Sequence, residues 1–243
     1  METHAKSDGV PALLREAALF VETRFYPLYY AYFAFRRTRT TWQHFGDARA
    51  AVLGLLHTRN PEMARIHALA LFIYAVRFTL VPFCLLTMYA LMRRNPSPRR
   101  FATPSDILFP FVSTTVMGCS DMIINTFDSL NDVMDDPLIP LSPNLLGASY
   151  ALVVAGRILS AAGILCLGRS FTLYIEERPL VKNGVYRYLK HPIYIGYMLS
   201  LIGVLLRNSS RSMILFLAIA ATLFAVRAVL EERRLSAAYP EYS

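Results

Sequence analysis

The sequence predicts an all-α, polytopic integral membrane protein with about four to five transmembrane helices and a C-terminal helix hairpin. Composition is the first observation behind this. Of the 243 residues, 55% are hydrophobic and 17% charged, against roughly 45–50% and about 25% in soluble domains. Mean hydropathy is +0.38. The second observation is that the apolar residues gather into long runs at 66–92, 145–167 and 213–230, within or above the roughly 17–25 residues that cross a bilayer. The third is where the charge lies. The net charge of +8 comes from basic residues flanking apolar runs, as in Arg93, Arg94, Arg99 and Arg100. That placement fits lipid headgroups and the setting of topology. No basic helix or aromatic platform accompanies it, so nucleic acid is not an expected partner.

The N-terminal region, 1–65, reads as an interfacial aromatic and basic segment. Residues 11–35 mix Phe20, Phe25, Tyr26, Tyr29, Tyr30, Tyr32, Phe33 and Phe35 with Arg15, Glu16, Glu22 and Arg24. Ionisable groups near a bilayer centre are costly, so a helix lying at the interface is expected, with a true span as the other reading. Residues 36–65 are polar, basic and loop-like. The opening residues have no apolar core or small-residue cleavage site, so no cleaved signal peptide is expected.

Residues 66–144 form a membrane-spanning region with an acidic loop. The span 66–92 is interrupted by Arg77 and Pro82, which predicts a kink or tilt. Arg77 either snorkels or, the favoured reading, faces a polar cavity. A basic loop over 93–104 leads to a weaker span at 107–124 carrying Asp121. Asp128, Asp132, Asp135 and Asp136 follow, through Pro137, Pro140 and Pro143, as a solvated turn region without calcium-loop spacing. Cys84, Cys119 and Cys166 stand apart in apolar stretches and read as small buried hydrophobes, with neither metal spacing nor a disulfide framework.

Residues 145–243 contain the candidate chemistry. The span 145–167 carries Gly147, Gly156 and Gly163 at spacings that let a neighbouring helix come close, and Arg157 interrupts its middle. A polar stretch, 174–190, precedes a short apolar helix at 192–206 and a second apolar helix at 213–230, joined by a polar turn. They predict an antiparallel hairpin that returns Arg227, Glu231 and Glu232 to the membrane side of His191. With the acidic loop outside, 169–190 and the C-terminus fall inside, and the N-terminal basic segment is the exception to the positive-inside pattern.

The stretch 184–196, G-V-Y-R-Y-L-K-H-P-I-Y-I-G, concentrates reactive groups at the mouth of a helix. Pro192 biases His191 toward extended backbone and is preorganised as the first residue of a helix. N–H groups at such a start favour negative ligand charge. Tyr186, Tyr188 and Tyr194 fit either an aromatic belt or a ligand site, with Lys190 beside them. Gly184 and Gly196 mark tight turns or close approach. Glu231 lies four residues after Arg227 and shares its helix face. Glu232 points about 100° away, so Glu231 is the carboxylate expected to face His191. His191 has no second histidine nearby for a metal, and neither a serine-hydrolase elbow nor a dinucleotide fingerprint is present.

Taken together, Gly184-x-Tyr186-x-Tyr188-x-x-His191-Pro192-x-Tyr194-x-Gly196 and Arg227-x-x-x-Glu231-Glu232 resemble the isoprenylcysteine carboxyl methyltransferase family. Leu167-Gly168-Arg169-Ser170-Phe171 resembles a segment of its bacterial relatives, and Ala238-Tyr239-Pro240-Glu241-Tyr242 is similar to its tail. The resemblance covers about 145–243. It implies an S-adenosylmethionine pocket lined by Gly184, Tyr186, Lys190, His191, Pro192, Tyr194, Gly196, Glu231 and Glu232, with Arg227 and Glu231 as catalytic candidates. The family usually has arginine where this chain has Lys190, which keeps the charge but loses the planar fork.

The implied activity is methyl transfer from S-adenosylmethionine to a lipophilic acceptor, a membrane lipid or small molecule. A carboxylate of prenylcysteine type is favoured. The other readings are a non-catalytic membrane protein that keeps the fold, and a membrane reductase of related helical architecture. The implied setting is the lipid bilayer, in a bacterial inner membrane, with the cofactor site toward the cytoplasm. The sequence carries no signal for oligomeric state.

Overall fold

The structure, a computed structural model, describes residues 10–94, 103–118, 142–176 and 178–239. Cys119, Asp121, the acidic residues from Asp128 to Asp136, Pro137, Pro140, most of the basic loop and the tail beyond Tyr239 lie outside the described residues. The helices are α1 (Ala12–Phe20), α2 (Tyr26–Gln43), α3 (Phe45–His57), α4 (Pro61–Phe78), α5 (Leu80–Met92), α6 (Ser105–Gly118), α7 (Pro143–Leu167), α8 (Pro192–Arg207) and α9 (Arg211–Ala238). The described residues contain no strand. Three stretches are long and apolar enough to cross a membrane: Pro61–Met92, Pro143–Ser170 and Arg211–Ala238, with Pro192–Arg207 as a shorter apolar helix. The protein is a polytopic helical membrane protein.

The most extensive helix packing is between α7 and α8, and the glycines explain it. Gly156 and Gly196 face each other, so a Cβ on Gly196 would overlap Ser160 Oγ and lie 2.5 Å from Gly156 O. Gly163 sits against Pro192 and Ile193, and Gly203 against Ser149 and Val153. Small residues let the two backbones approach closely enough for side-chain hydroxyls to cross-link them. Ser160 Oγ donates to Ile193 O at 3.2 Å, and Ser200 Oγ to Val153 O at 3.3 Å. Gly147 takes no part, since its Cβ would meet only Leu69 Cδ1 at 3.9 Å.

The predicted hairpin is present. Ser210 caps α9 by accepting from Met213 N at 3.2 Å. The 16 residues of α8 rise about 24 Å, and sixteen residues of return along α9 reach Arg227. The chain thus brings Arg227 level with Pro192. An α8 of about 24 Å is shorter than the roughly 30 Å hydrocarbon layer, which sets its polar N-terminal end at or within the membrane boundary.

The N-terminal half is more integrated than a surface segment would be. The α1 and α2 helices run into each other through a π turn at Val21–Phe25. Ala18, Glu22, Tyr26, Tyr30 and Ala34, spaced by four, are all buried. That spacing drifts by roughly 40° per step on an α-helix, and the wider π turn takes up part of the drift. Tyr26, Tyr30 and Ala34 share the main core with Phe83, Cys84 and Leu91 of α5 and Ile164 and Leu167 of α7. Phe20, Phe25, Leu28, Tyr32 and Phe35 face outward.

Two expectations need correction. Residues 36–65 are mostly helical, not loop-like: α2 continues to Gln43, α3 follows almost at once, and α4 starts at Pro61. The Ala- and Leu-rich stretch within α3 is good helix former, and Asn60 caps α4 by accepting from Glu62 N at 2.9 Å. Arg77, expected to face a polar cavity, is exposed on the outside of α4. The cation that reaches inward is Arg157, whose Nη1 donates to Val76 O and Thr79 Oγ1, both at 2.8 Å. It sits where α4 ends and α5 begins, so it satisfies a carbonyl at a helix C-terminus. The break falls at Thr79 because Pro82 lacks an N–H and crowds the carbonyl four residues earlier.

Candidate active site

Where the N-terminal end of α8 meets the end of α9, aromatic rings stack in a row. His191, Tyr194 and Tyr197 are three residues apart and so share one edge of α8. His191 stacks on Tyr194 with ring centroids 5.4 Å apart, and Phe224 of α9 lies 5.3 Å from Tyr194 and 5.8 Å from Tyr197. Phe83 of α5 meets Tyr197 edge-on at 6.0 Å. The row links the polar loop to the apolar interior.

Glu231 stands at the polar end of the row. Its Oε1 accepts from Tyr194 Oη and from Arg227 Nε at 3.4 Å, and its Oε2 accepts from Arg178 Nη2 at 3.4 Å. Arg227 lies over the Tyr194 ring, 5.4 Å from its centroid. Its Nη1 donates to Thr114 Oγ1 at 3.1 Å and its Nη2 to Leu173 O at 2.6 Å. Arg227 is therefore fixed from α6, from the 171–174 segment and from its own helix. The buried carboxylate is shared by two guanidinium groups, so the cluster carries an excess of positive charge.

These groups border a cavity of about 1100 Å³, counting the open solvent at its mouth. One part of its wall is polar: Arg178, Lys190, His191, Arg227, Glu231 and Thr172. The other part is apolar and aromatic, with Tyr29, Phe33, Leu80, Phe83, Ile164 and Leu167 among its residues. Such a lining suits a ligand with a charged end and a greasy end.

Of the residues singled out in the sequence, Tyr186, Lys190, His191, Tyr194, Arg227 and Glu231 line the cavity. Gly184, Pro192 and Gly196 do not; they set the backbone behind it. Gly184 has φ +58°, a left-handed conformation that favours glycine, and a side chain there would overlap Cys166 Sγ. Pro192 is buried against Gly163, and Gly196 against α7. The expectation for the two carboxylates is reversed at His191. Its Nε2 meets Glu232 Oε1 at 3.0 Å, and Glu231 binds Tyr194 instead. Both neighbours reach the loop because it wraps around the end of α9, meeting two sectors of the helix. Tyr188, exposed at 79%, points away.

Arg178 and the N-terminal part of the apolar wall escaped sequence reasoning. Arg178 lies in an irregular stretch where no periodicity assigns it a face. Tyr29, Phe33, Leu80 and Phe83 belong to the half of the chain that carries no recognisable motif.

A helical membrane protein with a mainly apolar cavity that carries a cluster of charged groups at a helix mouth is the class that fold and site define. Residues 149–237 match the isoprenylcysteine carboxyl methyltransferase family. Protein-S-isoprenylcysteine O-methyltransferase A of Arabidopsis thaliana is 35% identical over 118 residues, which is 46% of this chain and 59% of the relative. Protein-S-isoprenylcysteine O-methyltransferase B of the same plant is 30% identical over 121 residues, 47% of this chain and 61% of the relative. A probable protein-S-isoprenylcysteine O-methyltransferase of Oryza sativa subsp. indica is 31% identical over 86 residues, 32% of this chain and 45% of the relative. The chain thus spans about three fifths or less of these relatives. No solved structure matches.

Proposed function

We propose that this protein is a membrane methyltransferase that uses S-adenosylmethionine to methylate a lipophilic acceptor, with a carboxylate of the S-prenylcysteine type as the favoured acceptor group. The observation that carries this reading is the cavity with two unlike walls, bordered by residues of the family-matched region. The relatives' names supply the acceptor class.

The donor set fits S-adenosylmethionine, which when bound supplies a methyl group on a sulfonium and also carries a carboxylate. Aromatic faces such as Tyr194 attract a cation through the ring quadrupole, and Glu231 adds a negative charge beside them. Arg178 and Lys190 on the cavity wall offer cations to a carboxylate. Arg227, committed to Glu231, Thr114 and Leu173, is better suited to holding the site's shape than to leaving these partners for a ligand. A carboxylate acceptor is ionised at neutral pH, so the site needs alignment more than a general base. The apolar wall would take the prenyl-like chain out of water, a gain of about 0.8 kcal/mol per buried methylene.

We further place the site on the cytoplasmic side, where the cofactor is available and where the basic residues of 169–190 satisfy the positive-inside pattern. The relatives named above are plant proteins, and a bacterial inner membrane draws no support from them. The test is incubation of the purified full chain with labelled S-adenosylmethionine and either membrane lipids or an S-prenylated N-acetylcysteine, with mass spectrometry of the product. Labelled methyl ester is expected. Folded protein that binds the cofactor but labels no acceptor would favour the non-catalytic reading, and failure to bind the cofactor would overturn the proposal.

A further inference from the structure

Behind the cavity lies a second buried charge cluster, whose Glu22 and Arg94 belong to the part of the chain outside the family match. Glu22, at the π turn between α1 and α2, is fully buried. Its Oε1 pairs with Arg94 Nη1 and accepts from Thr172 Oγ1 at 2.9 Å and from Leu173 N at 3.0 Å. Glu176 Oε1 lies 3.3 Å from the same Arg94 nitrogen. Two carboxylates and one guanidinium are thus taken out of water together. Such clusters often contribute no net stability, because desolvation offsets the Coulomb attraction. A residue kept at that cost invites a role in geometry.

The geometry supplies one. Leu173 is held at both ends: its N–H donates to Glu22 and its C=O accepts from Arg227 Nη2 at 2.6 Å. Thr172 and Leu173 both line the cavity. The segment around them is neither helix nor strand; Phe171 N donates to Gly168 O and Ile175 N to Asp106 O, both at 3.2 Å, at its two ends, and between them these side chains hold Leu173. We infer that Glu22 is a positioning residue for the site: through Thr172 and the Leu173 backbone it sets the cavity wall and the guanidinium of Arg227. In this way a residue of the N-terminal helix acts on a site built mainly by the C-terminal one. The inference rests on the methyltransferase reading for its catalytic readout only.

The test uses the full chain in detergent, with S-adenosylmethionine and an S-prenylated N-acetylcysteine as probes. Glu22→Gln is combined with Arg227→Lys in a double-mutant cycle, and amide hydrogen exchange is read over 171–176. Misplacement of a positioned group by about 1 Å can cost up to about a hundredfold. Glu22→Gln is therefore expected to lower kcat/KM by roughly 10- to 100-fold per folded molecule and to speed exchange at Leu173. In the Arg227→Lys background the further loss should shrink to less than about threefold, as coupled residues are not additive. Losses that multiply, or exchange that does not change, would overturn the inference. If the unmutated chain transfers no methyl group, the functional reading fails, while the exchange arm still decides whether Glu22 holds the segment. If Glu22→Gln does not fold, Glu22→Asp keeps the charge but withdraws it by one methylene, and enters the same cycle with the same outcomes.

Discussion

Glu231 balances two buried or half-buried guanidinium groups and accepts the Tyr194 hydroxyl as well. Removing its carboxylate altogether leaves Arg227 uncompensated, and breaking a buried pair from one side costs about 3–5 kcal/mol. Glu231→Ala should therefore lower the thermal unfolding midpoint markedly. Glu231→Gln also removes the charge but keeps an oxygen for Tyr194 and the side-chain volume, so it should destabilise less than Glu231→Ala and, measured on folded protein, lose at least tenfold in S-adenosylmethionine affinity by calorimetry. Unchanged affinity in folded Glu231→Gln would remove Glu231 from the cofactor site. Lys190 makes the opposite kind of test. Lys190→Arg restores a planar fork that grips carboxylates with two bonds. It should tighten cofactor or acceptor binding severalfold if Lys190 meets a carboxylate there, and leave both unchanged if it does not.

At the scale of elements, the α7–α8 contact is specified almost wholly by small residues. Gly196→Ala puts a methyl group into Ser160 Oγ and close to Gly156 O. Overpacking of this kind costs about 1–3 kcal/mol. Gly147→Ala on the same α7 helix meets only a side-chain methyl at 3.9 Å and serves as the control. The unfolding midpoint should fall for the first and hold for the second; equal effects would mean that helix propensity, not the contact, dominates. The glycines show what was legible in the sequence. Gly156 and Gly163 at helical spacing announced a close neighbour, and the apolar runs on either side of Asn208 announced the hairpin. Gly147 is nine residues before Gly156 and so about 180° around the helix, which is why it meets Leu69 and lies off the crossing. The Glu232–His191 pair was missed for another reason. Helical periodicity says which residues share a face, but not that a loop will wrap around two faces at once. Arg157 replacing Arg77 as the inward cation shows the same limit: both interrupt apolar helices, and only packing decides between them.

For the molecule as a whole, the two halves divide the work of the cavity. The family-matched region supplies the polar wall, and α2 and α5 supply much of the apolar wall through Tyr29, Tyr30, Phe33, Leu80 and Phe83. Under the proposed function, cofactor recognition and acceptor selection would fall in different parts of the chain and could vary separately. This separation can be measured. Leu80→Trp adds bulk to the apolar wall from α5 and leaves the Tyr194–Glu231–Arg227 cluster untouched. A pocket can reject a chain one methylene too long by only about 1–3 kcal/mol, but a filled cavity excludes several methylenes at once. With S-prenylated N-acetylcysteines of increasing chain length, Leu80→Trp should keep kcat/KM for the shortest chain within about threefold and lose roughly 10- to 200-fold for the longest. S-adenosylmethionine affinity should stay unchanged throughout. A uniform loss across all chain lengths, or weaker cofactor binding, would mean that the apolar wall belongs to the cofactor and that the acceptor lies elsewhere.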